Sequence, residues 1–422
     1  MTSLHYNWAG NIPFSAARYH SPSTIAQLQE IVHHADKVGI AGARHSFPPI
    51  ADTTGDLLSL EKLEDAVSID PTHSKATVSA GMTYETLGPL LHEAGYALPN
   101  LASLPHITIA GACATATHGS GEGLGNLATH ISGLELVTAG GELVTLTREK
   151  DGDTFNGAVV GLGGLGVVAR MTLDLIPTFM MQQEIYRGLP LPTLYDNFDA
   201  VMASGYSVCL FTDWQKGVID SAWVKHKLVD DAPIPASEEL FGARLGSPEH
   251  VLDRPGSDRI LTPMSIPGPW YERLIHMTLK HPPGPGDELQ TEYFVPRHNA
   301  VAAMRKVESL RTYLKPILDL TELRTIAEDA LWLSPAYRQD IVAIQFNWHN
   351  DGPGVSQFLP MLEEELAPFE ARPHWGKLFS TPPVRLKTLY PRLPDFQALA
   401  RTYDPQGKFR NAFLDETIFE AQ

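Results

Sequence analysis

Cysteine is nearly absent: Cys113 and Cys209 are the only two in 422 residues. Two thiols so far apart in sequence make neither a disulfide framework nor a four-cysteine zinc or iron–sulfur site, and both are expected to be inert. Cations are also scarce, with 32 Lys and Arg against 49 Asp and Glu and a net charge of −17. No basic run or basic–aromatic patch offsets that field, which argues against nucleic acid as a partner. Long apolar runs are missing as well. The opening Met1-Thr2-Ser3-Leu4-His5-Tyr6-Asn7-Trp8 has neither a basic start nor an apolar stretch, and no window approaches the roughly 20 apolar residues of a membrane span. These absences predict a cytoplasmic protein without a membrane partner, a monomer or a small homo-oligomer. The 17 histidines contain no His-x-x-x-His pair and no acidic cluster at ligand spacing, so no metal is expected. Repeats and low-complexity tracts are missing too, which removes solenoids, propellers and disordered tails.

What is present is enough apolar content, 43%, for a sizeable core, and a length that suits two or three domains of about 150 residues. Pro22-Ser23-Thr24 ahead of Ile25 to Val32 reads as a capped amphipathic helix, and Lys37 to Gly42 as a helix end running into a short buried strand. Leu57 to Leu60, Lys75 to Gly81 and Leu134 to Thr138 are strand-like, and Tyr84 to Gly95 is a helix closed by glycine. After Pro177 the texture changes to strands such as Ser207 to Thr212 and a Pro/Gly-rich irregular stretch from about Asp230 to Pro269, then Gly284-Pro285-Gly286. The class is α+β with a domain boundary near Pro177. Further on, Ile341 to His349 alternates: Val342, Ile344, Phe346 and Trp348 share one face, and Gln345, Asn347 and His349 the other. The first face packs and the second is free to line a cavity.

Five segments carry candidate chemistry. In Gly42-Ala43-Arg44-His45-Ser46-Phe47, small residues after a strand let backbone N–H groups converge on an anion such as a pyrophosphate, although an ordinary loop has the same composition. The run Ala102 to Gly121 is rich in small and hydroxylated residues, which permits close approach of a ligand or of a crossing chain. Gly161-Leu162-Gly163-Gly164-Leu165-Gly166 fits the dinucleotide glycine pattern, but Val167 to Leu175 reads as a strand. With no helix to aim at phosphates, a nicotinamide site is rejected there. Glu322 and Arg324 lie two apart and share one face of a strand, as a catalytic pair or a plain ion pair. Arg372-Pro373-His374-Trp375-Gly376-Lys377 presents a lysine on a turn, which a surface loop would also do.

Taken in order, these segments resemble the bacterial alditol (xylitol) oxidases of the vanillyl-alcohol oxidase superfamily. The likeness runs from Asn7-Trp8-Ala9-Gly10-Asn11 through Ser103-Leu104-Pro105-His106, Thr117-His118-Gly119-Ser120-Gly121 and Asp404-Pro405-Gln406-Gly407-Lys408-Phe409 to Asn411-Ala412-Phe413. It implies a two-domain fold: an FAD-binding domain over 1–177, a cap over 178–377 whose antiparallel sheet roofs the flavin, and a segment 378–422 returning to the FAD domain.

The resemblance also implies roles. His45 is the expected covalent tether to the flavin 8α-methyl, with Ala41, Gly42, Ala43, Arg44 and Ser46 around the pyrophosphate. Ser103, Thr108, Gly111, Ala112, Cys113, Ala114, Val167 and His374 are the remaining expected flavin contacts. Arg324 and Lys377 are expected at the reacting hydroxyl, Lys377 made a better base by the guanidinium beside it. Glu322 is expected to bind the next hydroxyls, and Ser103, Gln345 and Asn347 to touch substrate. The chain departs from the family's pattern at Ala43 and Arg44, where small residues are usual, and at Gln345 and Asn347. The implied reaction takes a polyol and O2 to an aldose and H2O2; the alternative is a sugar-lactone oxidase or dehydrogenase of the same superfamily.

Overall fold

The computed structural model describes residues 5–64, 67–247, 261–279, 286 and 288–419. The N-terminal part opens with β1 (Arg18–His20), α1 (Ile25–His34), β2 (Val38–Ala41) and β3 (Asp56–Ser59). Thr24 caps α1 by accepting from the Gln27 N–H, and Leu28 and Val32, one turn apart, bury its inner face. The three strands form a parallel sheet in the order β1-β3-β2. Next come β4 (Val67–Asp70), β5 (Lys75–Ser79), α2 (Tyr84–Glu93), β6 (Tyr96–Ala97) and α3 (Ile109–Ala114). The glycine expected to close α2 is Gly95, at φ +86°, a conformation glycine adopts without strain.

Then follow β7 (Ile131–Val137), β8 (Leu143–Thr147), α4 (Arg148–Val159, broken at Gly152), β9 (Val167–Asp174) and β10 (Ile176–Pro177). An antiparallel sheet runs β4-β5-β9-β7-β8, and β10 pairs with β6. The glycine-rich turn at 161–166 leads into β9, so no crossover helix follows it.

Sheet membership changes between Pro177 and Met180. From there β11 (Met180–Pro190), β12 (Ser207–Thr212), β13 (Val218–Lys227), β14 (Glu239–Leu240), β15 (Ala243–Leu245), β16 (Gly268–Pro269), β17 (Glu288–Pro296), β18 (Leu318–Ile326), β19 (Ile341–His349) and β20 (Arg372–Pro373) build one large sheet. Its order is β14-β15-β11-β13-β12-β18-β19-β17-β20, with β16 on β11. The stretch expected to be irregular thus contributes β14, β15 and β16 at the sheet's edge; its residues 248–260, like Gly284 and Pro285, lie outside the described part.

Packing follows the strand alternation. On β19, Val342, Ile344, Phe346 and Trp348 enter a core with Leu289, Tyr293 and Val295 of β17 and Leu323 of β18, under the helix Gly352–Leu366. Gln345 and Asn347 turn the other way, and His349 stands exposed at the strand's end. A second core joins β5, β7, α2 and α3 to the C-terminal helices, and Trp270, Leu274, Leu331 and Trp332 reach into it from beyond Pro177.

The C-terminus is stitched back by Asp404, whose carboxylate accepts from the N–H groups of Lys408 (2.7 Å) and Phe409 (2.8 Å). Lys408 then donates to the carbonyls of Val32 and Ala139 at 2.7 and 2.8 Å. Its own carbonyl accepts from Val38 N–H, at the start of β2. Asp404→Ala strands a buried N–H at Phe409 and is expected to lower stability in urea by about 2–3 kcal/mol. A loss below about 0.5 kcal/mol, the range of neutral surface changes, would contradict that role.

Candidate active site

The site lies in a cavity of about 530 Å³ between the N-terminal sheets and the large sheet, within the usual ~300–1,000 Å³ of small-molecule sites. One wall is the loop 42–47. Its shape is set from the N-terminus: Asn7 Nδ2 donates to the Ser46 carbonyl (3.0 Å), Asn11 Nδ2 to that of Phe47 (3.1 Å), and Trp8 N–H to that of Arg44 (2.8 Å). This is the structural content of the Asn7-Trp8-Ala9-Gly10-Asn11 motif. Arg44 sits at φ +63°, a left-handed conformation that explains why a small residue is usual there. His45 stacks on Trp8 with ring centroids 4.9 Å apart. Burial, then the neighbouring His106 and Arg44, push its imidazole down to about 4, so it is neutral and nucleophilic at pH 7.

Loop and α3 meet at Thr108, the N-cap of α3. A Cβ on Gly42 would lie 2.3 Å from Thr108 Oγ1, and one on Gly111 2.7 Å, so both glycines are demanded by close approach. Ala41, Gly42, Ala43, Arg44, His45, Ser46, Ser103, Thr108, Gly111, Ala112, Ala114 and His374 all line the cavity. Two expected contacts do not. Cys113 turns into the core under Tyr84, and Val167 is fully buried in a separate cluster. Burial pushes both thiols, Cys113 and Cys209, up to about 12, which keeps them protonated and unreactive.

The opposite wall is a polar row on three neighbouring strands. Gln345 of β19 stands between Glu292 of β17 and Glu322 of β18 in register, and Asn347 pairs with Gln290 in the next row. Arg324 contacts Glu322 directly, two residues along one face. Gln345 Nε2 donates to Asn347 Oδ1 (2.6 Å) and Glu322 Oε1 (3.4 Å), and its Oε1 accepts from Lys377 Nζ at 2.5 Å. Lys377 arrives on the expected turn. Trp375 anchors it, donating to the Leu333 carbonyl at 2.8 Å, while Leu378 N–H bonds Gln290 O (3.0 Å) and Phe47 N–H bonds Gly376 O (2.9 Å). In this wall Arg324 Nε and both Glu292 carboxylate oxygens are buried without a hydrogen-bond partner, as is the nearby Ser103 Oγ. Such orphans are costly unless a ligand uses them.

Electrostatics separate the two bases. Burial, chiefly, lowers the Lys377 ammonium, with Arg324 adding to the effect and Glu292 opposing it. The guanidinium is thus a secondary cause. Arg324 is raised: burial works against the charge, and the neighbours that favour it, Glu322 foremost, together outweigh burial.

Several cavity residues escaped the sequence reading. Glu292 lies 2.9 Å from Lys377 Nζ and 3.2 Å from His118 Nε2. The signal was there, since Glu288, Gln290 and Glu292 alternate with Leu289, Thr291 and Tyr293. His276, 3.9 Å from Glu322, sits beside Phe211 and Trp223 at the far end. Donor atoms of His118, Glu292 and His374 lie within 4.8 Å of one another, as do those of Cys209, His276 and Glu322. In the first group His374 Nδ1 accepts from Gly376 N–H at 2.9 Å, so its Nε2 carries the hydrogen and is unsuited to a metal. In the second, Cys209 Sγ already contacts Glu322 Oε2 at 3.8 Å within the fold.

Two family models and several known proteins match the chain. The FAD-binding-domain family matches residues 16–147, and the D-arabinono-1,4-lactone oxidase family residues 287–417. An alditol oxidase of Streptomyces sp. is 41% identical, over 99% of this chain and 100% of the relative. The chain belongs to the alditol oxidase family. Other relatives of this alditol oxidase family member are more distant: an L-gulono-1,4-lactone dehydrogenase of Mycobacterium tuberculosis is 28% identical, over 99% of this chain and 100% of the relative. The L-gulonolactone oxidase of Mus musculus is 24% identical, over 98% of each. Among solved structures, cholesterol oxidase from B. sterolicum aligns with TM-score 0.78 at 15% identity, over 98% of this chain and 96% of that one. A solvent-stable cholesterol oxidase gives 0.76 at 16%, over 97% and 96%. These two share the chain's fold, α+β as expected, and the FAD-binding-domain match fits a flavoprotein of that fold. As a member of the alditol oxidase family the protein is an FAD-dependent oxidase, and among the described residues no helix is long and apolar enough to cross a membrane.

Gly42→Ala pushes a methyl into Thr108 and is expected to reduce the FAD content of the purified protein by more than about half, read as flavin absorbance per protein. Full flavin content in that variant would show that the loop–α3 contact does not shape the cofactor site.

Proposed function

We propose that the protein oxidises the terminal primary alcohol of an alditol, with xylitol, sorbitol and glycerol-type polyols as substrates, to the aldose, reducing O2 to H2O2. The observation that carries this reading is the convergence of Arg324, Lys377, Glu322, Gln345 and Asn347 on one end of the cavity, beside the unpartnered Ser103 hydroxyl and Arg324 Nε. A row of acceptors and donors on one sheet face suits a chain of hydroxyls. The 41% identity to an alditol oxidase supports the same class over the lactone-oxidising relatives at 24–28%.

FAD bound there would supply the two-electron acceptor for the alcohol's hydride and the route for those electrons to O2. The loop from Ala41 to Ser46, with Thr108, Gly111, Ala112, Ala114 and His374, would hold it. His45, neutral and fixed against Trp8, is the residue we assign as the covalent 8α-histidyl tether. On this reading 1–177 and 378–422 make the FAD domain and 178–377 the cap.

The protein's own part in the chemistry is orientation and proton removal. An alcohol does not ionise near pH 7, so hydride loss from carbon needs a partner that accepts the hydroxyl proton. Lys377, buried and inclined to its neutral form, is that acceptor; Arg324, permanently charged, stabilises the developing alkoxide. Glu322 and Asn347 fix the adjacent hydroxyls and so aim the reacting C–H.

Three outcomes test the proposal. Wild-type flavin stays with the acid-precipitated protein and is released from His45→Ala; release from wild type would remove His45 as tether. Lys377→Met lowers kcat for peroxide production from xylitol by about 10²–10⁴-fold, and unchanged turnover would remove Lys377 from the mechanism. Asn347→Thr changes the ratio of kcat/KM among xylitol, sorbitol and glycerol; an unaltered ratio would place Asn347 outside the substrate site.

A further inference from the structure

Lys377 has a neighbour that the roles above leave unused. Glu292 is 1% exposed, and its carboxylate stands between Lys377 Nζ at 2.9 Å and His118 Nε2 at 3.2 Å. Neither oxygen makes a well-angled hydrogen bond, so both keep lone pairs to spare. On its other side His118 is fixed: Nδ1 lies 2.8 Å from the carbonyl of Gly119. One ring nitrogen therefore faces a carbonyl and the other a carboxylate, and both are acceptors. A neutral imidazole has a single N–H and would leave one of these contacts repulsive. The His118–Glu292 pair thus holds a second proton, on the ring or on the carboxyl group.

The charges around Lys377 point the same way. Facing it are Glu292 and Glu288 from β17, Glu322 and Arg324 from β18, and His118 and His374 across the cavity. Glu288 is held toward its neutral form by burial, and His374 is pushed down to about 3 by burial and so carries no charge. The groups closest to its two oxygens make Glu292 the carboxylate that Lys377 and His118 share, at 2.9 and 3.2 Å.

We propose that Glu292 and His118 form a proton-holding pair that positions Lys377 and sets its readiness to accept the substrate's hydroxyl proton. Both are positioning residues, acting through Lys377 and not on substrate. The proposal rests on Lys377 being the proton acceptor, and it adds the source of that behaviour.

The test is the pH profile of flavin reduction by xylitol, read on the acid limb, where activity falls as Lys377 becomes protonated. Glu292→Gln removes the anion nearest the ammonium, so the limb moves to lower pH by about 1–3 units. His118→Asn keeps an amide donor but removes the compensating cation, so Glu292 holds the ammonium more tightly and the limb moves to higher pH. Opposite shifts from two adjacent substitutions are not produced by a merely structural role. Glu292→Asp, which keeps the charge, returns the limb toward its original position and serves if the glutamine variant folds poorly. Limbs that stay in place, or that move the same way in both variants, would overturn the pairing. Lys377→Met separates the two levels. If the acid limb persists without Lys377, the acceptor role itself fails. If the limb disappears in Lys377→Met yet ignores Glu292 and His118, only the pairing fails.

Discussion

The register of three antiparallel strands is the constraint on which the site depends. Glu292, Gln345 and Glu322 are cross-strand partners on β17, β19 and β18, so they project from one face in a single row. Their alternates, Tyr293, Ile344, Phe346 and Leu323, fill the core below. A slip of one residue would send the apolar set into the cavity and bury the charges. The hydrophobic alternation therefore positions the chemistry, and Trp348, donating to Thr291 Oγ1 at 3.1 Å, helps lock the pairing from beneath.

The second wall is held by quite different means. Loop 42–47 has no regular structure of its own and takes its shape from Asn7, Asn11 and Trp8 on one side and from the Gly376 carbonyl on the other. That carbonyl belongs to the turn presenting Lys377, so the cofactor loop and the base are one hydrogen bond apart. Close contact at Thr108 leaves no space for a side chain at Gly42 or Gly111. Substitutions in this wall are expected to act on cofactor and base together.

Much of this was legible in the sequence, and what was not has physical causes. The capped helix at Ile25, the alternating Ile341 to His349 and the shared face of Glu322 and Arg324 are local patterns with a single structural solution. The strand after Gly161 to Gly166 was readable for the same reason. Cys113 and Val167 were placed at the cofactor by motif position, but in α3 and β9 their side chains turn into the core while Gly111, Ala112 and Val168 face the cavity. Glu292 and His118 were missed as a pair because they meet only through the tertiary fold. The short strands β14, β15 and β16 were unreadable because two or three residues carry no periodicity.

Burying so many ionisable groups at one end of a cavity is costly unless each finds a counterpart. Here the counterparts are mostly one another, with Ser103 Oγ, Arg324 Nε and the Glu292 carboxylate oxygens left without a hydrogen bond. The most direct test of that assignment is anaerobic rapid mixing of the flavin-loaded protein with xylitol and with xylitol deuterated at its terminal carbons. The account predicts bleaching of the oxidised flavin by xylitol, slowed severalfold by deuterium because the C–H bond breaks in that step. Bleaching by a sugar lactone but by no polyol would contradict it.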